Sequence, residues 1–285
     1  MNPIRVVTDS TAYLPKDWLE AHGVTVVPLS ITMNSSTYRE GFDITNSEFY
    51  ARLRQAKEPP TTSQPSAGEF LETYKSLIDA GAKTIISIHI SGGISGTINS
   101  AQSAAGMLMG ADITVVDSKC TGPALGFIIQ EAVSLVESGE SKDTIMRRLD
   151  YLIANMRTLF VVTDLMYLHK GGRLSGVQAI IGSILQIKPV LHFVDGRIEV
   201  LEKVRTERRA LDRITELMRQ AGGGGSSDLP TRLAIAYADN KEKAEGVARD
   251  LENRFPGFRV ESVEVGPVIG THVGPGLIGF QFYYG

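Results

Sequence analysis

The chain has 285 residues, of which 42% are hydrophobic and 21% charged, and this balance excludes a largely disordered protein. The formal net charge of −3 argues against a general nucleic-acid-binding protein, which needs a basic surface. The single cysteine, Cys120, excludes an intrachain disulfide and a cysteine-based zinc site.

Predicted strands and helices alternate through the first half of the chain. We predict strands over residues 4–8, 24–32, 84–90 and 113–117 and helices over residues 15–22, 46–56, 66–80, 97–109, 122–137 and 141–156. Ser66 and Glu69 form a capping-box pattern, and Ser141 is a candidate helix cap. Repeated strand–helix–strand units are typical of a parallel sheet with helices on both faces, so residues 1–155 are expected to form a Rossmann-like domain.

The pattern changes in the second half of the chain. We predict strands over residues 159–163, 189–194, 198–204, 233–238, 258–265 and 277–284 and helices over residues 164–169, 177–187, 206–221 and 241–255. Asp195-Gly196 indicates a two-residue hairpin, and the glycine-rich residues 222–228 indicate a loop. A hairpin among helices favours a mixed sheet, so residues 156–285 are expected to form a second, smaller α/β domain.

Two segments combine hydroxyl groups with a helix that follows them. They are Pro60-Thr61-Thr62-Ser63-Gln64-Pro65-Ser66 and Ile90-Ser91-Gly92-Gly93-Ile94-Ser95-Gly96-Thr97. Hydroxyl groups and free N–H groups at a helix N-terminus suit an anionic oxygen ligand, and ligands of parallel sheets bind beyond the carboxyl ends of strands. The alternative for the first segment is an ordinary capped loop, and the alternative for the second segment is a tight strand-to-helix turn.

Other candidate groups lie in the second half of the chain. His272 is expected in a glycine-rich loop over residues 270–276, although a lone histidine is more often structural. The histidines show no His-x-x-x-His spacing, which disfavours a metal site. Arg173 is suited to a carboxylate or phosphate, or to the C-terminal end of a helix. The Gly-x-Gly-x-x-Gly match at residues 274–279 lacks the helix that dinucleotide binding requires after it.

Five segments occur in the order found in one bacterial family. They are Val7-Thr8-Asp9-Ser10-Thr11, Thr62-Ser63-Gln64-Pro65-Ser66, Ile94-Ser95-Gly96-Thr97, Lys170-Gly171-Gly172-Arg173 and Thr271-His272-Val273-Gly274-Pro275-Gly276. On these segments the chain resembles the DegV family of bacterial lipid-binding proteins. The resemblance implies two α/β domains that enclose a fatty acid, with no cofactor and no catalysis by this subunit. It also implies a separate ATP-dependent fatty-acid kinase as partner, which makes acyl-phosphate for phospholipid synthesis.

The resemblance further implies roles for individual side chains. Thr62 and Ser95 are expected to hydrogen-bond the carboxylate of a long-chain fatty acid, and His272 is expected to reach the same head group from the second domain. The residues implied as supporting the head group or contacting the partner are Ser63, Gly96, Thr97, Arg173 and Thr271. The resemblance implies no metal ligand and no catalytic residue.

Burial of the hydrocarbon chain would drive such binding. Each buried methylene contributes ~0.8 kcal/mol, so about 14 of them give ~11 kcal/mol before the cost of ordering. The apolar run over residues 177–187 and Phe127-Ile128-Ile129 are candidates to line a tunnel or simply to pack in the core. An unpaired buried carboxylate is costly, and hydroxyl and helix N–H groups would satisfy it without a lysine.

Two other functions are compatible with the sequence. A serine hydrolase would use Ser95 as nucleophile, His272 as base and Asp9 or Asp117 as the orienting acid, although Gly-Ile-Ser-Gly-Thr departs from the Gly-x-Ser-x-Gly elbow. A sugar or nucleotide sensor would use the Rossmann-like half. We find no secretory signal and no lipid-spanning run in the sequence, so a cytoplasmic protein is expected, with transient contact to a membrane surface left open.

Overall fold

The computed structural model describes residues 3–174, 187–222, 229–255 and 257–285. The strands in these ranges are β1 (Ile4–Asp9), β2 (Thr25–Val27), β3 (Ser30–Met33), β4 (Ser36–Arg39), β5 (Thr61–Ser63), β6 (Thr84–His89), β7 (Asp112–Asp117), β8 (Arg157–Val161), β9 (Val190–Val194), β10 (Arg197–Glu202), β11 (Arg232–Tyr237), β12 (Glu261–Glu264) and β13 (Ile278–Tyr283). The helices are α1 (Lys16–Ala21), α2 (Asn46–Leu53), α3 (Ala67–Asp79), α4 (Thr97–Gly106), α5 (Pro123–Glu137), α6 (Lys142–Asn155), α7 (Met166–Lys170), α8 (Glu207–Ala221), α9 (Lys241–Arg254) and α10 (Pro267–Val273). Apart from Ile187 and Gly222, the expected helix over 177–187 and the expected loop over 222–228 lie outside the described residues.

The first sheet is parallel and has the strand order β2-β1-β6-β7. Successive residues of a strand point to opposite faces, so each strand contributes to two cores. Val7 and Ile85 pack with residues of α3 and α4, whereas Val6 and Ile86 pack with residues of α5 and α6. The predicted parallel sheet with helices on both faces is therefore confirmed.

The second sheet is mixed and has the strand order β10-β9-β8-β13-β11-β12. Strands β9 and β10 form the predicted hairpin, in which Asp195 and Gly196 have φ angles of 46° and 77°. Helices α8 and α9 pack on one face of this sheet, against residues such as Val161 and Phe280. The opposite face, which includes Phe160, packs in a core that it shares with the first half of the chain. The predicted α/β fold with a second, mixed sheet is confirmed.

A third sheet, with the strand order β4-β3-β5, is a feature that the sequence analysis does not predict. The expected single strand over residues 24–32 is wrong, because the chain forms β2 in the parallel sheet and then β3 in this antiparallel sheet. Strand β3 buries Ile31 and Met33, which pack in the same core as Phe160 of the mixed sheet. Strand β5, which carries Thr62, is thereby held against the second half of the molecule.

A buried carboxyl group also connects the two halves of the chain. Glu40 is only 2% exposed and accepts hydrogen bonds from the Ser10 hydroxyl at 2.7 Å, the Tyr13 hydroxyl at 3.2 Å and the Val268 N–H at 2.7 Å. Val268 lies in α10, whereas the other two donors lie just after β1. Glu40 therefore ties α10 to the first half of the molecule.

The predicted helix caps lie where the sequence places them. Ser66 Oγ accepts the Glu69 N–H at 3.2 Å, and the Glu69 carboxylate accepts the Ser66 N–H at 2.7 Å, which completes the capping box. Ser141 Oγ accepts the N–H of Thr144 at 3.2 Å at the start of α6. Helix α6 ends just before β8 of the mixed sheet begins, and the domain boundary at residue 155 stays a prediction.

Candidate ligand-binding site

A cavity of about 340 Å³ lies against the face of the mixed sheet that α8 and α9 leave uncovered. Its apolar lining consists of Leu29, Ile90, Ile94, Phe160, Leu168, Phe193, Ile198, Ala236, Val265, Val268, Ile269, Val273 and Leu277. Its polar lining consists of Thr62, Ser63, Gln64, Ser95, Thr121, Thr158, Arg173, His272 and Gln281. A mainly apolar wall with a few polar groups is typical of small-molecule sites.

Thr62 and His272 meet at the cavity wall, although 210 positions separate them in the sequence. Oγ1 of Thr62, on β5, is 2.8 Å from Nε2 of His272. His272 lies in α10, which ends at Val273 and is followed by Gly274 with a φ angle of 68°, so the expectation that this histidine lies in a glycine-rich loop is wrong. A Cβ atom at Gly171 would overlap Nδ1 of the imidazole, so a glycine is required where α7 ends beside α10.

The imidazole of His272 is neutral at pH 7. Burial and, to a lesser degree, the positive charge of Arg173 lower the pKa of His272 to about 4. Nδ1 is buried and has no hydrogen-bond partner in the described part of the chain. A neutral imidazole donates from one nitrogen and accepts at the other, so His272 can serve Thr62 and one further polar group.

The two predicted ligand loops touch each other. A Cβ atom at Gly96 would overlap the side-chain amide of Gln64, and Nε2 of this amide donates to Oγ of Ser100 at 3.2 Å. Ser95 Oγ accepts the N–H of Thr97 at 3.3 Å and lies 2.9 Å from the hydroxyl of the same threonine. Ser95 therefore lines the cavity and also anchors the start of α4.

Arg173 fixes a positive charge on the same wall. Its Nε donates to the carbonyl oxygen of Ile94 at 3.1 Å, and one terminal nitrogen donates to the carbonyl oxygen of Gly171 at 2.5 Å. Both acceptors are backbone groups, and we find no carboxylate paired with Arg173 within the described ranges. A positioned guanidinium beside an apolar cavity favours an anionic group such as a carboxylate.

The supporting residues that the resemblance implies fall into two groups. Those on the cavity wall are Ser63 and Arg173. Those behind the wall are Gly96, Thr97 and Thr271, which do not line this cavity. The hydroxyl of Thr97 pairs with Ser95, and that of Thr271 donates to the carbonyl oxygen of Pro267 at 2.8 Å. These threonines are therefore placed to hold Ser95 and α10 in position.

A second depression, which we call the outer cleft, borders part of the same wall. It shares Thr62, Arg173 and His272 with the cavity, and its other lining residues are Leu53, Ala56, Lys57, Glu58, Pro59, Pro60, Thr61, Asp164, Met166, Tyr167, Lys170, Gly171 and Thr271. Lys57 and Glu58 are exposed to solvent. The Thr62–His272 pair therefore lies between the apolar cavity and a cleft that carries solvent-exposed charged side chains.

The structure does not assemble the triad that a serine hydrolase would need. The imidazole of His272 pairs with a threonine rather than with Ser95. Oδ2 of Asp9 is 3.1 Å from Nδ1 of a different histidine, His89. Asp117 accepts hydrogen bonds from two backbone N–H groups, that of Lys119 in its own loop and that of Gly92 in the loop after β6. Neither candidate acid is thus placed to orient His272.

Most of the apolar wall could not be identified from the sequence. Its residues come from strands of the mixed sheet, such as Phe160 of β8 and Ile198 of β10, and from α7, α10 and loops, and only tertiary packing brings these elements together. Phe127-Ile128-Ile129, a candidate lining segment, instead packs in the core beneath the parallel sheet. The other candidate segment, residues 177–187, lies outside the described residues except for Ile187, which packs against the core around the cavity.

Three polar lining residues are also absent from the sequence analysis, namely Thr121, Thr158 and Gln281. The sequence contains one indication for two of these residues: Thr158 and Gln281 are polar side chains in strands that are otherwise rich in apolar side chains. In the part of the chain that the structure describes, no cluster of three or more His, Cys, Asp or Glu side chains is placed to bind a metal ion. No helix there has the length and apolar character needed to cross a membrane.

The chain matches known proteins along almost its whole length, and the DegV family model matches residues 3–285. A DegV domain-containing protein of Halalkalibacterium halodurans is 41% identical over 283 residues, which cover 99% of each chain. The crystal structure of DegV from Bacillus subtilis, a fatty acid binding protein, is 38% identical with a TM-score of 0.90 and 99% coverage of each chain. A stearic acid-binding protein from Eubacterium ventriosum is 30% identical with a TM-score of 0.90, covering 99% of this chain and 98% of that one. The chain therefore belongs to the DegV family.

Proposed function

We propose that this protein binds a long-chain fatty acid, with the hydrocarbon chain inside the cavity and the carboxylate at Thr62, Ser95 and His272. The observation that carries the proposal is that one mainly apolar cavity is bordered by all three of these side chains. The fatty acid binding DegV of Bacillus subtilis and the stearic acid-binding protein of Eubacterium ventriosum, which share this fold, support the same ligand class.

Removal of the hydrocarbon chain from water would supply most of the binding free energy. The cavity volume of about 340 Å³ falls in the range of small-molecule sites. Each methylene that enters it contributes ~0.8 kcal/mol, so about 14 methylenes give ~11 kcal/mol before the cost of ordering the chain. A long acyl chain therefore binds tightly even after part of this gain is lost to immobilisation.

Hydrogen bonds and one fixed charge would stabilise the carboxylate. The hydroxyl groups of Thr62 and Ser95 are donors, and the neutral imidazole of His272 donates from one nitrogen. The guanidinium of Arg173 adds an attraction that is strengthened by the low dielectric of the cavity wall. A carboxylate can therefore remain ionised at the end of an apolar cavity, where an unpaired anion would be strongly disfavoured.

We also propose that the chain presents this carboxylate to a separate ATP-dependent fatty-acid kinase in the cytoplasm, for acyl-phosphate formation and phospholipid synthesis. The outer cleft supports this arrangement because it borders Thr62 and His272 and carries Lys57 and Lys170. Cationic side chains at this position would stabilise the phosphoryl group of the product. In this role the chain needs neither a cofactor nor a catalytic residue of its own.

Native mass spectrometry of the protein purified from bacterial cells tests the fatty-acid proposal. We expect a mass excess of one fatty acid per chain, which denaturing extraction releases in near-stoichiometric amount. Protein that carries no lipid and takes up no added palmitic acid would contradict the proposal. Esterase turnover that disappears in Ser95→Ala would instead support the hydrolase alternative.

A further inference from the structure

Two buried hydroxyl groups line the cavity without a hydrogen-bond partner among the described residues. Thr121 and Thr158 are each 7% exposed, and Oγ1 of each is buried and unpartnered. Thr121 lies in the loop between β7 and α5, and Thr158 lies on β8. Buried hydroxyl groups in native proteins are nearly always hydrogen-bonded, so this pair indicates a partner that enters through the cavity.

Gln281 holds the two hydroxyl-bearing segments together. It is 4% exposed, lies on β13 and directly opposes Thr158 of β8 in the sheet register. Its Oε1 accepts the Ala124 N–H at 2.6 Å, and its Nε2 donates to the carbonyl oxygen of Thr121 at 3.1 Å. This amide therefore fixes the loop of Thr121 beside the strand of Thr158. We call Thr121, Thr158 and Gln281 the polar patch.

The polar patch lies further along β13 than Leu277, the cavity residue that follows α10. Leu277 follows α10, which carries His272, and both Leu277 and Gln281 line the cavity. They are four residues apart along an extended chain, which corresponds to about 14 Å at ~3.4 Å per residue. A fatty acid whose carboxylate binds beside His272 would therefore contact the polar patch with a distal part of its chain.

A saturated acyl chain would leave the polar patch unsatisfied. It would exclude water from both threonine hydroxyls and offer them no hydrogen bond, which is unfavourable for buried polar groups. A hydroxyl on the chain at this depth would donate to one threonine and accept from the other. We propose that the preferred ligands are long-chain fatty acids that carry a hydroxyl group in the distal part of the chain, bound by Thr121 and Thr158. This inference rests on the proposed function.

Competition between defined fatty acids tests the inference. The purified protein is incubated with equimolar palmitic acid and one monohydroxypalmitic acid, and the retained acid is identified by native mass spectrometry. The experiment is repeated with positional isomers of hydroxypalmitic acid whose hydroxyl group moves stepwise along the distal half of the chain. We expect at least one isomer to be retained over palmitic acid by about ten-fold, the ratio expected from one net hydrogen bond. An isomer with its hydroxyl beside the carboxylate should show no such preference.

Valine variants connect the preference to the polar patch. Thr121→Val and Thr158→Val keep the branched shape but remove the hydroxyl, so each should lower the preference to about three-fold or less and increase retention of palmitic acid. Thr8→Val is the matched control, because Thr8 on β1 also has a buried, unpartnered hydroxyl but does not line the cavity. It should keep the wild-type preference. Two separate valine variants keep the test valid if one of them fails to fold.

The outcomes separate this inference from the proposed function. If palmitic acid and every isomer bind equally and the valine variants change nothing, the inference is overturned while fatty-acid binding stands, and a bound water would satisfy the hydroxyls. If a preference exists but survives in both valine variants, the assignment to Thr121 and Thr158 is overturned. If the protein binds none of these acids, the proposed function fails as well.

Discussion

His272 contributes to the candidate site as a neutral hydrogen-bonding group, and the positive charge comes from Arg173. Because burial and Arg173 lower the pKa of His272 to about 4, the imidazole does not change its charge near neutral pH. Arg173 contributes a cationic side chain on the same wall. Binding of a carboxylate therefore does not require protonation of His272 near neutral pH.

Removal of either hydroxyl at the head-group end should weaken fatty-acid binding. A hydrogen bond to a charged group contributes ~1.5–3 kcal/mol, so we expect Thr62→Val or Ser95→Ala to lower the affinity by about ten-fold or more. Displacement of a fluorescent fatty acid measures this change. Thr37→Val, at an exposed threonine of the same three-stranded sheet, should bind as the wild type does. Unchanged affinity in both site variants would argue against these positions as the carboxylate site.

The glycine beside His272 provides a second test at the scale of a single residue. A Cβ atom at Gly171 would overlap Nδ1 of His272, so Gly171→Ala should displace the imidazole and weaken fatty-acid binding about ten-fold. Gly106→Ala is the control, since a Cβ atom there meets nothing within 4 Å. The same displacement assay applies, and equal affinities for the two variants would show that the position of the imidazole does not matter for binding.

At the scale of elements, local patterns predict helix ends and turns better than they predict sheet membership. The caps at Ser66 and Ser141 and the hairpin at Asp195-Gly196 follow from interactions within a few residues, and the structure confirms them. The prediction of one strand over residues 24–32 is wrong, because an apolar pattern does not show which sheet a segment joins or where one strand ends and the next begins. The short strand β5 depends in the same way on distant pairing with β3.

Glu40, which ties α10 to the first half, should give the protein a distinct pH dependence of stability. Burial raises the pKa of Glu40 from 4.5 to about 7, so the folded state holds this proton more tightly than the unfolded state. Its contribution to stability is therefore full at low pH and falls as the pH rises from about 4.5 to about 7, by roughly 3 kcal/mol, with no further loss above that range.

The Glu40→Gln variant stays neutral and should lack this fall in stability. Thermal unfolding of the wild type and the variant between pH 4.5 and 8 measures the difference in stability between them. His272 makes the opposite contribution, because its lowered pKa makes stability rise between pH 4 and 6.5. Both proteins contain His272, so its contribution cancels in the difference. Glu69→Gln, the same change at an exposed capping position, should keep the wild-type profile. Parallel profiles for wild type and Glu40→Gln would contradict the role assigned to Glu40.

At the scale of the whole molecule, the candidate site forms where the two halves of the chain meet. Thr62 and His272 are 210 positions apart in sequence and 2.8 Å apart in space. Family resemblance identified both residues, whereas composition and periodicity only marked their segments as polar loops. The polar patch could not be predicted, because the burial of Thr121 and Thr158 depends on how the mixed sheet packs against the first half.

A crystal structure of the protein purified with its natural ligand shows directly whether the cavity holds a fatty acid. We expect continuous, elongated electron density in the cavity, with a carboxylate within hydrogen-bond distance of Thr62, Ser95 or His272 and a chain that extends toward Thr158 and Gln281. A cavity that contains only water, or a fatty acid bound elsewhere on the molecule, would contradict fatty-acid binding in this cavity.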